Sequence, residues 1–144
     1  MRISGLGHAF LKVRDRERSE GFYSGVLGLA VAARLDTPPM TFFTLGNHHD
    51  FAIVGVGDGP DAAENSPGLF HVAFKVGDSL DELRAAKADL DAAGVAIEMT
   101  MDHTVTQSIY VRDPDGNAVE LYVDSSDAWK TDPQLVATGG PLEL

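Results

Sequence analysis

Two histidines and a glutamate stand where the sequence repeats itself. Gly7-His8-Ala9-Phe10-Leu11-Lys12-Val13 returns as Phe70-His71-Val72-Ala73-Phe74-Lys75-Val76, with His, Lys and Val in the same relative places. Glu120 sits between apolar neighbours in Ala118-Val119-Glu120-Leu121-Tyr122. An acid there is costly to bury unless it meets a partner or a metal. Two imidazoles and one carboxylate that leave open positions suit non-haem Fe(II), with Mn(II) as nearest rival and Ni(II) or Zn(II) as further options. The sequence has no cysteine, so any ion must be held by nitrogen and oxygen. A single histidine on a half-buried strand is more often a hydrogen-bonded core residue. The ligand reading rests on two histidines at matching repeat positions plus an acid on the closing strand.

These residues need a frame, and the repeat supplies one, because a duplicated unit is a statement about architecture. Residues 6–13 read as a strand that carries His8. Asp15 can cap a helix running through Phe22, Tyr23 and Val26 towards Gly28. Residues 29–35 read as a strand that Thr37-Pro38-Pro39 breaks. Residues 40–45 and 50–56 form two further strands about a Gly46-Asn47 turn. Residues 57–67, rich in Gly, Pro and acids, are the expected linker.

The second copy follows the same plan. Residues 69–76 are expected as a strand that carries His71. Asp78 or Ser79 caps a helix whose Leu80, Leu83, Ala86, Lys87 and Leu90 share one face, with Gly94 at its C-terminal end. Residues 95–99, 108–111 and 118–123 give three strands, the last hairpin turning at Asp115-Gly116-Asn117. The expected fold is α+β: two βαβββ modules, residues 5–56 and 68–124, paired into a mostly antiparallel sheet cup within one domain. A tail, residues 125–144, lies on the surface, tied down by Trp129 and the Leu135-Val136 pair.

Composition narrows the partners. The net charge of −11, from 22 acids against 11 bases, argues against nucleic acid and anionic membranes. No stretch has the length or apolarity of a membrane helix, and the cysteine-free chain suits a reducing cytoplasm. Sheet edges are liable to pair, so a homodimer is expected.

The two His-bearing strands and the run Asp113-Pro114-Asp115-Gly116-Asn117 with Glu120-Leu121-Tyr122 resemble the vicinal oxygen chelate superfamily over residues 5–124. That superfamily groups glyoxalases, extradiol dioxygenases, fosfomycin-resistance proteins, epimerases and antibiotic-binding proteins. The resemblance implies His8, His71 and Glu120 as metal ligands. Asn47-His48-His49-Asp50-Phe51-Ala52, His103 and Tyr110 are similar to features of the catechol 2,3-dioxygenase branch, as is the tail. They imply His49 as an acid–base residue, with His103 and Tyr110 beside it, and a small aromatic diol and O₂ as substrates.

Strand parity counted from the two turn glycines instead turns His48 and Asp50 inward; a bulge would reconcile the two. The same count makes Asp50 the counterpart of Glu120. That is the residue on which a glyoxalase-like lyase or isomerase would turn, because such a site takes a carboxylate from both copies. A non-catalytic, antibiotic-type binding protein is the third possibility, although such relatives need not keep the triad.

Overall fold

The computed structural model describes residues 1–61, 63 and 65–144; Ala62 and Glu64, in the expected linker, lie outside the described residues. The chain divides into two compact units, Met1–Ser66 and Pro67–Leu144. Each is a small α+β unit with the strand–helix–strand–strand–strand order of the repeat.

In the first unit, β1 (Ala9–Val13) leads into α1 (Arg16–Glu20), which continues as a π-helical turn over Gly21–Val26. Asp15 is extended, and its side chain accepts from the Arg18 backbone N–H at 2.9 Å, the N-cap expected from the sequence. The helix ends before Gly28, whose φ of +76° is a backbone position that suits glycine. Strands β2 (Ala30–Leu35), β3 (Met40–Thr44) and β4 (Phe51–Gly55) follow, in the sheet order β1-β4-β3-β2. The β1–β4 pairing is parallel, and the other two are antiparallel. Tyr23, Phe43, Phe51 and Ile53 are fully buried and form the core of this unit.

The second unit repeats the plan. It runs β5 (Val72–Gly77), α2 (Leu80–Ala92), β6 (Ile97–Asp102), β7 (Thr106–Arg112) and β8 (Ala118–Asp124). Ser79 caps α2: its hydroxyl donates to Glu82 Oε2 at 2.7 Å and accepts from the Glu82 N–H, a closed capping box. The stripe expected on this helix is present, with Leu83 and Leu90 buried against the sheet. Asp113 shapes the β7–β8 turn by accepting from the Asp115 and Asn117 N–H groups and from the Asn117 side-chain amide.

The tail departs from expectation. Instead of lying down through Trp129 and Val136, it carries two short 3₁₀ turns, Ala128–Lys130 and Pro133–Ala137, and a strand β9 (Gly140–Pro141). That strand pairs with β6, so the sheet order is β5-β8-β7-β6-β9. Trp129 stays 44% exposed and Val136 60% exposed; backbone pairing does the fastening. Gly and Pro mask strand propensity, so composition gave no sign of it.

Candidate metal centre

The chemistry expected of the second unit gathers on one face of its sheet. Parallel pairing sets Val72 against Val119 and Ala73 against Glu120, so His71 stands at the entrance of β5 beside Glu120. His71 Nε2 lies 3.0 Å from Glu120 Oε2. Glu120 is only 8% exposed. Its other oxygen, Oε1, accepts from the Ser108 hydroxyl at 2.5 Å, and Ser108 is fully buried. Antiparallel pairing sets Tyr110 against Glu120. Burial first, and then the neighbouring Glu120 carboxylate, push the Tyr110 phenol up to about 12. The phenol therefore stays protonated at neutral pH, and its oxygen lies 2.9 Å from His103 Nε2. The His71 ring meets Tyr110 edge-on at 5.9 Å.

Both histidines of the repeat sit one residue ahead of their strands rather than within them, because pairing begins at Ala9 and Val72. They still occupy matching places. His71 Nδ1, on the side of the ring away from Glu120, is buried with no hydrogen-bond partner, a condition that costs about 1–3 kcal/mol. The 3.0 Å between Nε2 and Oε2 suits a hydrogen bond. With an ion bound, the same two atoms would be donors to it. The donors present, an imidazole and a carboxylate, fit a divalent transition-metal ion. Among the described residues no three His, Asp or Glu side chains form a ready-made ion cluster; of the three expected ligands, His71 and Glu120 lie together in the second unit.

The first unit holds His8, His48 and His49. His8 and His49 lie with ring centroids 4.3 Å apart, and His49 also meets Phe42 edge-on at 5.4 Å. His48 Nδ1 is 2.8 Å from His49 Nδ1, and His48 is the more exposed of the two. Partial desolvation, reinforced by the two neighbouring imidazoles, holds His49 below the usual histidine value. It is therefore neutral and able to accept a proton at pH 7. Of the adjacent pair, His49 is the one that keeps company with His8.

The register corrects the expected role of Asp50. Ala9 pairs with Phe51 and Phe10 with Ala52, whereas Val72 pairs with Val119 and Ala73 with Glu120. The place of Glu120 in the first unit is therefore taken by Ala52. The turn glycines misled the count, since the place of Gly116 is taken by His48. Asp50 acts locally instead, its Oδ2 accepting from the Leu45 N–H at 2.6 Å and the Asn47 N–H at 3.3 Å.

Sequence reasoning missed two supports of the second unit. One is Ser108, which alternation places on the same face as Tyr110. The other is a clasp on His103. Thr104 has φ of +70°, a conformation rare for a β-branched residue. The Thr104 hydroxyl meets that of Thr138 at 2.7 Å. Gly139 packs so closely that a Cβ there would lie 2.7 Å from Asp102 O and 3.0 Å from His103 Nδ1.

The chain resembles known proteins along most of its length. It is 34% identical over 126 residues to biphenyl-2,3-diol 1,2-dioxygenase 3 of Rhodococcus globerulus, matching 83% of this chain but 63% of that one. It is 28% identical to a probable lactoylglutathione lyase of Synechocystis sp., covering 84% of this chain and 96% of the lyase. The crystal structure of a glyoxylase/bleomycin resistance protein/dioxygenase domain from Frankia sp. EAN1pec superposes with a TM-score of 0.74 at 25% identity, over 89% of this chain and 97% of that one. The model of the Glyoxalase/Bleomycin resistance protein/Dioxygenase superfamily matches residues 5–121. With the duplicated βαβββ units and the repeated histidines already in place, the chain belongs to that superfamily.

Proposed function

We propose that the protein is a ring-cleaving, extradiol-type dioxygenase of small aromatic diols, with His8, His71 and Glu120 holding Fe(II). One observation carries the choice among superfamily chemistries. Ala52 occupies the register position that matches Glu120, so a glyoxalase-type site with a carboxylate from each copy lacks its second acid. One carboxylate and two imidazoles remain, the donor set suited to Fe(II) with open positions. A metal-free binding protein need not keep the triad, so the presence of His8, His71 and Glu120 together weighs against that reading.

When bound, the ion supplies a Lewis-acid centre that acidifies the diol and brings O₂ beside it. The protein's own groups do the rest. Neutral His49 accepts a phenolic proton and later returns it. Tyr110, kept protonated, donates a hydrogen bond to a substrate oxygen, and His103 fixes the direction of that donor. Ser108 holds Glu120 in one rotamer. In the net reaction the ring bond next to the diol breaks, both atoms of O₂ enter the product, the ring carbons are oxidised and dioxygen is reduced. The cysteine-free chain fits work in the cytoplasm.

The test is aerobic turnover after anaerobic loading with Fe(II), over a panel of catechols, followed by O₂ uptake and the visible absorbance of the ring-opened product. One O₂ consumed per diol supports the reading. Conversion of a glutathione hemithioacetal with no O₂ uptake contradicts it.

A further inference from the structure

An open pocket of about 340 Å³ lies wholly within the second unit and has Glu120 in its wall. Its volume falls in the range of about 300–1,000 Å³ usual for small-molecule sites. Tyr110, Ser108 and Thr106 alternate along β7, so the pocket continues the face that carries the candidate centre. Its far wall is the tail, in the form of Trp129 and Val136. We propose that this pocket binds the uncharged apolar arm, such as a second ring, of an aromatic diol, with Trp129 and Val136 as its recognition surface.

Three observations support this. Trp129 and Val136 remain 44% and 60% exposed although they line a concavity, which is where an aromatic ligand gains most from burial. Trp129 is held in place by its 3₁₀ turn and by Lys130, whose Nζ lies 5.7 Å from the ring centre. The wall also discriminates by charge. Its lining holds the acids Glu120 and Asp124 and no basic side chain, and the net charge is −11. An anionic arm would therefore be repelled and a neutral one accepted. Only the chelation of the diol end rests on the dioxygenase reading; the arm pocket can be tested without metal.

Trp129 is the sole tryptophan, so its emission reports on this pocket alone. The metal-free full chain is titrated with 2-hydroxybiphenyl, which cannot chelate as a diol does, and with 2-hydroxybenzoate as the anionic counterpart. The expected result is a saturable change with 2-hydroxybiphenyl, at least about tenfold weaker binding of the benzoate, and at least a tenfold loss of 2-hydroxybiphenyl affinity in Val136→Asp. Val136 is surface-exposed, and circular dichroism verifies that the variant is folded. No saturable change, or unchanged affinity in Val136→Asp, overturns the proposal whether or not the protein cleaves catechols. Saturable binding that Val136→Asp abolishes, in a protein that cleaves no diol, upholds the pocket and sinks the dioxygenase reading instead. In the active enzyme, Val136→Asp should lower the ratio of kcat/KM for biphenyl-2,3-diol to that for catechol by at least about tenfold.

Discussion

At the scale of single residues, a buried carboxylate is the pivot of the proposed chemistry. Glu120 is almost enclosed, with His71 on one oxygen and Ser108 on the other. Glu120→Gln keeps the shape and removes the charge. It should weaken Fe(II) binding by about one to two orders of magnitude or more while leaving the circular dichroism spectrum unchanged, as read by anaerobic metal titration. Replacing His103 by Ala touches neither proposed donor of the second unit. It should spare metal stoichiometry and slow turnover by about 10²-fold or more, since it removes the imidazole that directs the Tyr110 hydroxyl. Metal loss in the His103 variant would instead make that residue a ligand.

One element presses on the turn that carries His103 and another braces the first unit, and each gives a prediction. The tail strand β9 presses Gly139 on the turn that carries His103. Gly139→Ala should therefore lower kcat without lowering Fe(II) affinity, measured side by side on one preparation. In the first unit, α1 is joined to the sheet through Glu20, whose Oε2 accepts from the buried Thr41 hydroxyl at 2.6 Å and whose carboxylate meets Arg34. The Arg34 hydrogen bonds, with Thr41 and the nearby Arg16, hold Glu20 below its ordinary value of 4.5, against the opposing effect of burial. Its contribution is complete above the ordinary carboxylate range and is lost as pH falls through the lowered folded value. Glu20→Gln should thus reduce stability by about 1–2 kcal/mol at pH 7 and flatten the acid limb of the stability curve, as read by urea unfolding across pH.

The strands, helices and caps of both units were legible because hydrophobic period, Asp15, Ser79 and the turn residues all agreed. Three things were not. Glycine spacing gave the wrong counterpart for Glu120, since a turn can place its glycine at different points without altering the strands it joins. The β9 pairing runs through backbone groups of Gly140 and Pro141, which leave no side-chain signature. Ser108 reads as an ordinary strand residue until the register sets its partner.

At the scale of the molecule, β2 is an edge strand of its own sheet, and nearly all of its residues are exposed. Such edges tend to pair, and we propose a homodimer. Light scattering at micromolar concentration should give twice the 15.3 kDa chain mass, and a monomer mass would refute this. The proposed chemistry requires that His8, His71 and Glu120 each contribute to the binding of Fe(II). Anaerobic Fe(II) titration by calorimetry tests this most directly, run on the native chain and on His8→Ala, His71→Ala and Glu120→Gln. The expected result is one Fe(II) per chain in the native protein and a loss of affinity of at least about tenfold in each variant. Native affinity retained in His8→Ala would contradict it.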